Sequence, residues 1–171
     1  MNRTLDLHHE AFLCLGSNLG NKELNLKLAL RALEQAGIKP DLISAVYKTE
    51  PVDFKKQDWF LNQVTKVRTS LEPSSLLNCC LKIERRMGRV RQIPKGPRNI
   101  DLDILLYDHL VLKSQRLVIP HPRMHLRRFV LEPLATIAAE FMHPVLEQPI
   151  SILRDQCKDN SKVYRTSCLD V

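Results

Sequence analysis

Two aspartates separated by one residue are the strongest chemical feature of this sequence. They lie in the segment G-P-R-N-I-D-L-D-I-L-L-Y at residues 96–107. The alternation at 100–106 predicts a strand whose apolar residues 100, 102, 104 and 106 share one face. Asp101 and Asp103 then share the other face, with Cα atoms roughly 7 Å apart. Two carboxylates this close repel each other unless a cation lies between them. Mg²⁺ takes one or two carboxylates together with phosphate and water oxygens, so the pair indicates a magnesium site. An ordinary solvent-facing strand could carry the same pattern.

Cationic residues crowd the stretch before this strand. Arg98 lies just before the aspartate pair, and five more cations stand upstream: Arg85, Arg86, Arg89, Arg91 and Lys95. Cations beside paired carboxylates fit a bound polyphosphate, because metal ions neutralise one side of the phosphates and guanidinium groups hold the other. A solvated basic loop is the alternative interpretation.

A third polar cluster, I-P-H-P-R-M-H-L-R-R-F, occupies residues 119–129. His121 stands between two prolines, which restrict the backbone on both sides of it. His121 could contact phosphate, although a lone histidine is more often structural. Arg127 and Arg128 open the helix predicted next, whereas Arg123 and His125 receive no role from the sequence. The common phosphate motifs are missing: there is no G-x-x-x-x-G-K-[ST] loop, and G-S-N-L-G at 16–20 is too short and lacks the lysine.

The positions of apolar residues predict the scaffold that holds these clusters. Strands are predicted at 11–16, 43–48, 61–69 and 100–106. Helices are predicted at 22–36, from Pro73 to a cap at Gly88, and at 129–141. The order β-α-β-β-α-β-α, with hairpin-paired strands and helices on one side, predicts an α+β fold with a ferredoxin-like antiparallel sheet flanked by helices. We expect a single domain over 1–171, with a core at about 11–149 and a tail after Pro149 of unassigned role.

Composition limits the class of protein. Of 171 residues, 44% are apolar, which supports a core, and the net charge is +7, which favours an anionic partner. No apolar run approaches ~20 residues, and the N-terminus has no apolar signal region, so we expect a cytoplasmic protein without a membrane span. The five cysteines are odd in number and form no C-x-x-C pair, so reduced core thiols are expected.

Four segments, in order, resemble the 6-hydroxymethyl-7,8-dihydropterin pyrophosphokinases. They are L-G-S-N-L-G-N at 15–21, F-L-N at 60–62, G-R-V-R followed by G-P-R-N-I-D-L-D-I-L-L-Y within 88–107, and I-P-H-P-R-M-H-L-R-R-F-V-L-E-P-L at 119–134. The resemblance extends from about residue 12 to 144. It implies a folate-pathway enzyme that transfers pyrophosphate from Mg·ATP to 6-hydroxymethyl-7,8-dihydropterin. In this reaction the hydroxymethyl oxygen attacks the β-phosphorus of ATP and AMP leaves.

The same resemblance implies roles for individual residues. It implies two Mg²⁺ ions held by Asp101 and Asp103. Catalysis would involve Arg89, Arg98, Asp101 and Asp103, and ATP would contact Glu84, Arg98, Arg116, His121 and Arg127. The pterin would contact Thr49, Val52, Phe60, Asn62 and Phe129, with its ring between the two phenylalanines. The residues themselves support part of this, since Phe60 and Asn62 are two apart on a predicted strand and share a face. The 89–98 loop is one residue shorter than in some relatives, and Lys95 precedes G-P-R where an aromatic residue is frequent.

Two other functions are consistent with parts of the sequence. An RNA-binding module would explain the basic charge, but it requires stacking aromatic residues on the sheet, and aromatics make up only 5% of the chain. A two-metal nuclease would also use the aspartates. We therefore expect ATP and the pterin as partners, no nucleic acid or membrane, and a monomer.

Overall fold

The central strand of the sheet is also its most buried one. The computed structural model describes residues 9–88 and 95–166. The central strand is β1 (His9–Ser17), which pairs antiparallel with β4 (Phe60–Thr69) and with β5 (Asp101–Tyr107). Because β1 is covered on both faces, its sequence is a continuous apolar run rather than an alternation. The further strands of the main sheet are β2 (Lys39–Ile43), β3 (Tyr47–Thr49) and β8 (Val163–Arg165), with β2 and β3 both pairing with β4. The order of this sheet is β5-β1-β4-β3-β8, with β2 beside β4 off this path. This sheet confirms the predicted ferredoxin-like α+β class.

Two helices cover one face of the sheet. Helix α1 (Lys22–Gln35) begins where the side chain of Asn21 accepts a hydrogen bond from the Leu24 amide, and Gly37 follows its end with a φ of 79°. Helix α2 (Pro73–Arg86) starts with a proline in its first turn, where no intrahelical donor is lost. Both helices pack their apolar stripes against Leu13, Leu15, Leu102 and other residues of one core.

The opposite face is covered by α3 (Arg128–Ala138) and α4 (Ile150–Asp155), which pack on Phe12, Cys14 and Val64. Helices therefore lie on both faces, although the sequence pattern placed them on one side. The segment after Pro149 also joins this fold, because α4 packs in the second core and β8 pairs with β3. A two-stranded sheet of β6 (Leu112–Lys113) and β7 (Val118–Ile119) and a 3-10 turn at Met124–Leu126 precede α3.

A β-bulge in β5 changes which residues share a face. The pairing with β1 skips Leu105, since Leu13 faces Ile104 whereas Phe12 faces Leu106. Leu102 and Ile104 therefore pack under α1 and α2, but Leu106 packs in the second core near α3. The prediction that residue 106 shares the face of 102 and 104 is wrong, because the bulge adds a residue to one strand.

The strand predicted at 43–48 is divided into β2 and β3. Between them Ser44 forms hydrogen bonds with β4: its hydroxyl accepts from the Val64 amide at 3.0 Å, and its own amide donates to the Val64 carbonyl at 2.9 Å. Pro40 lies in β2 at the edge of the sheet, where its missing N–H is tolerated. The four described cysteines are free thiols, and among the described helices none is long and apolar enough to cross a membrane.

Candidate active site

A cavity opens on the α3 side of the sheet, where β1, β4 and β5 reach the same end. It is lined by Cys14 and Gly16 of β1, by β4 and β5 residues, by the loop after β3 and by the start of α3. Nine predicted site residues lie together in its wall: Thr49, Val52, Phe60, Asn62, Arg98, Asp101, Asp103, Arg127 and Phe129. The alternation of β4 and β5 explains this clustering, because residues two apart on a strand project to one face.

The carboxylate pair lies at the inner wall of this cavity. Asp101 is opposite Gly16 in the pairing with β1, and Asp103 is opposite Cys14. Burial raises the pKa of the Asp103 carboxyl, and the negative charges of Asp101 and Glu84 raise it further. A carboxylate that is unfavourable when ionised becomes favourable beside a cation. Two hard oxygen donors on one rigid strand therefore fit Mg²⁺, which completes its shell with phosphate and water oxygens.

Glu84 supports this strand from the other side of the sheet. Glu84 is 3% exposed, and its carboxylate accepts a hydrogen bond of 2.8 Å from the backbone amide of Leu102. Leu102 stands between the two aspartates, so this bond fixes the backbone that carries them. Glu84 was predicted to lie near the nucleotide, and it lies behind the carboxylate pair rather than in the cavity wall.

Arg98 joins the carboxylates to the aromatic part of the cavity. Its Nε lies 3.2 Å from Oδ2 of Asp101, and its guanidinium group lies 4.9 Å from the centre of the Phe60 ring. Asn18 holds the Arg98 backbone, because the Asn18 side chain accepts from the Arg98 amide at 2.9 Å while the Asn18 amide donates to the Arg98 carbonyl at 3.1 Å. Arg98 can therefore present its charge to a ligand from a fixed backbone.

Arg127 also lines the cavity and stands just before α3. Its side chain is 13% exposed and stands 5.5 Å from the centre of the Phe129 ring. Burial lowers the pKa of Arg127, and the neighbouring Arg123 lowers it further. Because arginine titrates so far above neutral pH, it remains charged, and two crowded cations favour an anion between them.

His121 lies beside the cavity rather than in its lining. Its amide donates to the carbonyl of Leu105 in β5 at 2.8 Å. Burial lowers the pKa of His121 to about 4, with further contributions from Arg127 and Arg123, so the imidazole is neutral at neutral pH. Its Nδ1 accepts from the Arg123 amide at 3.1 Å, which leaves the proton on Nε2. His121 is thus a neutral hydrogen-bond donor.

The aromatic part of the cavity is built around Asn62. Its amide nitrogen donates to the hydroxyl of Thr49 at 2.5 Å. Gly16 faces Asn62 across the β1–β4 ladder, and a Cβ atom at residue 16 would lie 2.7 Å from the Asn62 amide oxygen. Glycine is needed here because the carboxamide occupies the space of a side chain. Phe60 and Phe129 line the same cavity, so a flat ring, an amide edge and charged groups are adjacent.

One other predicted residue, Arg116, is placed away from the cavity. Arg116 lies outside the cavity lining and donates to the Asn78 side chain at 2.9 Å. Arg89 lies outside the described residues. The sequence analysis gave no role to Asn18, Asp53 or Gln57, and it counted Lys95 only among the cations that could bind a polyphosphate. The fold brings all four to the cavity or its margin. The hydrogen bonds that join them to the other cavity residues span 38 to 80 residues of the chain, so no local pattern marks them.

The ferredoxin-like sheet, the paired carboxylates and the facing guanidinium groups are the arrangement expected of an enzyme that transfers phosphoryl groups. The family model of 7,8-dihydro-6-hydroxymethylpterin-pyrophosphokinase (HPPK) matches residues 12–139. The chain therefore belongs to the 7,8-dihydro-6-hydroxymethylpterin-pyrophosphokinase family.

Named relatives agree with this assignment. The chain is 41% identical over 135 residues to the 2-amino-4-hydroxy-6-hydroxymethyldihydropteridine pyrophosphokinase of Bacillus subtilis. The matched region is 78% of this chain and 81% of that protein. It is 43% identical over 147 residues to the folic acid synthesis protein fol1 of Schizosaccharomyces pombe, and the matched region is 85% of this chain but 20% of that protein. The chain thus spans about a fifth of that longer relative. The crystal structure of wild-type Plasmodium falciparum HPPK-DHPS with pteroate shares the fold, with a TM-score of 0.70, 17% identity, and coverage of 86% of this chain and 44% of that one.

Proposed function

We propose that this chain transfers the terminal pyrophosphate of ATP to the hydroxymethyl oxygen of 6-hydroxymethyl-7,8-dihydropterin and releases AMP. The observation that carries the proposal is one cavity lined by two kinds of group. The first kind is the paired carboxylates with Arg98 and Arg127, and the second is Phe60, Asn62 and Phe129. The first suits a metal-bound polyphosphate, and the second suits a flat heterocycle with polar edges.

Asp101 and Asp103 would hold the metal, and we propose two ions, as the sequence resemblance implies. Bound Mg²⁺ would neutralise the triphosphate and make the β-phosphorus easier to attack. The raised pKa of Asp103 supports this assignment, since burial and like charge leave that carboxylate in need of a cation. Glu84 would act indirectly in this scheme, by holding the backbone between the two ligands through Leu102.

The cationic residues would bind the phosphates around that centre. Arg98, fixed by Asn18 and already 3.2 Å from Asp101, can stabilise charge on the transferred group. Arg127 would also contact the triphosphate, and neutral His121 would donate through Nε2. Arg89 and Arg116 are assigned to the phosphates and the ribose by resemblance alone.

The aromatic residues of the cavity would orient the pterin that accepts the pyrophosphate. Phe60 and Phe129 would stack on the pterin ring, and the Asn62 carboxamide would hydrogen-bond its polar edge, with Thr49 and Val52 alongside. Orientation of the hydroxymethyl oxygen toward the β-phosphorus is the main catalytic need of such a transfer. A monomeric cytoplasmic enzyme without a nucleic-acid partner remains part of the proposal.

Product identification tests this function directly. The purified chain is incubated with ATP, Mg²⁺ and the reduced hydroxymethylpterin, and nucleotides are separated by chromatography. We expect AMP in amounts equal to the pyrophosphorylated pterin, with no AMP when the pterin is omitted. Stoichiometric ADP would contradict attack at the β-phosphorus and would indicate an ordinary kinase.

A further inference from the structure

A third carboxylate, Asp53, stands among the cations of the cavity. Its Oδ1 lies 3.2 Å from Nζ of Lys95 and 3.9 Å from Nη1 of Arg123, and its Oδ2 lies 3.4 Å from Nη2 of Arg127. Asp53 lies on the loop between β3 and β4 and lines the same cavity as Asp101 and Asp103. It is remote in sequence from all three cations.

The transfer reaction gives Asp53 no obvious role. It is on the guanidinium side of the cavity, where a carboxylate repels phosphate oxygens. Its side chain is 34% exposed, so its ion pairs are screened by water and contribute little to folding. A residue that neither packs in the core nor attracts the ligand needs another explanation.

The charges of the cavity provide one. The described residues of its lining carry four carboxylates, Glu50, Asp53, Asp101 and Asp103, against three cations, Lys95, Arg98 and Arg127. With Arg123 beside Asp53 added, ionised carboxylates and cations are equal in number, so these side chains offer a metal-free polyphosphate no net attraction above the pKa of Asp103. The same ligand with bound Mg²⁺ carries less negative charge, so the Asp53 carboxylate repels it less.

We infer that Asp53 is a specificity-determining counter-ion, which occupies the phosphate-binding cations before the ligand arrives and disfavours metal-free polyphosphates relative to magnesium complexes. This inference rests on the proposed function, because it takes Lys95, Arg123 and Arg127 as part of the triphosphate site. When the phosphates enter, the cations exchange the Asp53 carboxylate for phosphate oxygens. The repulsion that remains grows with the negative charge of the ligand.

Calorimetric titration of two ligands tests the inference. Tripolyphosphate in EDTA is the metal-free probe, and Mg²⁺ with a non-hydrolysable ATP analogue is the loaded one. Asp53→Asn should bind tripolyphosphate roughly tenfold more tightly than wild type at low salt, the scale of one partly screened charge contact. The gain for the magnesium complex should be no more than about threefold, and both gains should shrink at high salt.

Asp58→Asn is the matched control. It removes a carboxylate from the same loop, but Asp58 is 83% exposed and its ion pair is with Lys22 at 4.0 Å. It should bind both probes as wild type does. Asp53→Ser removes the same charge with a smaller side chain, so it should reproduce the Asn result, and thermal melts of each variant check the fold.

Unchanged or weaker binding of tripolyphosphate by the Asp53 variants would overturn the inference, as would an equal gain in Asp58→Asn. Product analysis of the wild type separates this failure from failure of the proposed function. Wild type that forms AMP, with Asp53 variants that bind like wild type, refutes the role of Asp53 alone. Wild type that forms no AMP refutes the proposed function.

Discussion

Replacing Asp103 by Asn should stabilise the metal-free protein while it abolishes most of the activity. The change keeps the shape of the side chain and removes one charge from the inner wall of the cavity. In the wild type that charge is buried and stands near Asp101 and Glu84. The metal-free fold therefore holds an unfavourable carboxylate, which a bound cation would relieve.

The size of the effect follows from proton affinity. Burial, then Asp101 and Glu84, raise the pKa of Asp103 to about 7 from an ordinary value of 3.8. The folded protein thus holds the proton more tightly than the unfolded chain, so metal-free wild type loses stability as the pH rises from about 4 to 7. A tenfold difference in proton affinity corresponds to about 1.4 kcal/mol, so the loss is on the order of 2–4 kcal/mol by pH 8. The Asp103→Asn variant would carry no such penalty, and its melting temperature should be higher by roughly 5–10 °C.

Thermal melts in EDTA at pH 5 and pH 8, with and without added Mg²⁺, provide the measurement. We expect the gap between Asp103→Asn and wild type to be small at pH 5 and large at pH 8. Mg²⁺ should close the gap by stabilising the wild type at pH 8. Asp101→Asn is the matched control, because it removes a neighbouring carboxylate that is paired with Arg98 at 3.2 Å and should give a smaller rise. Turnover should fall at least ~10²–10³-fold in both variants.

The reasoning fails if Asp103→Asn melts at or below the wild-type temperature at pH 8 in EDTA. It also fails if the difference between the two proteins does not change with pH, since a constant offset would reflect packing rather than charge. Wild-type turnover and an unchanged Mg²⁺ requirement in both variants would show that the aspartates are ordinary strand residues.

Three further substitutions test other parts of the cavity. Arg98→Ala should lower turnover by ~10²–10³ without unfolding, the scale of one preorganised donor, and a loss under about threefold would make Arg98 a surface charge. Gly16→Ala should raise the KM for the pterin roughly tenfold and that for Mg·ATP far less, because the new Cβ displaces the Asn62 oxygen that lies 2.7 Å away. Burial lowers the pKa of His121 to about 4, so the folded protein resists the proton that the unfolded chain accepts below about pH 6.5. Between pH 7 and pH 5 the free energy of unfolding should therefore fall by about 1–2 kcal/mol less in His121→Gln than in wild type, as measured by urea unfolding. An equal fall in the two proteins would contradict this.

The sequence predicted the central elements because their periodicity is local. The strand at 61–69 was observed as β4 (Phe60–Thr69), and the helix from Pro73 to the Gly88 cap as α2 (Pro73–Arg86). The bulge at Leu105 and the division of the strand at 43–48 were not predicted, since both depend on pairing partners rather than on neighbours in sequence. The edge strand β8 was also not predicted, because a strand of three residues is too short to show a periodic pattern.

The site was predictable where its residues alternate on one strand. Asp101 with Asp103, and Phe60 with Asn62, share a face because they are two apart. Asn18 and Asp53 could not be found this way, since their roles come from contacts with Arg98 and Lys95 across the fold. Only the three-dimensional arrangement shows that Asn18 holds the Arg98 backbone and that Asp53 contacts three cationic side chains.

Strand β5 explains how the fold tolerates repelling charges at its centre. Leu102 and Ile104 are buried against α1 and α2, and after the bulge Leu105 and Leu106 are buried in the core beneath α3. Each fully buried side chain of this kind contributes roughly 1.5–3 kcal/mol, so these four together exceed the roughly 2–4 kcal/mol that the ionised Asp103 costs. Apolar burial on both sides of the aspartates therefore holds the carboxylates in place until a cation reaches them. Shortening Leu102 or Leu106 should then lower the free energy of unfolding more with Mg²⁺ than in EDTA, because a displaced carboxylate pair also loses part of the stabilisation that the bound ion supplies.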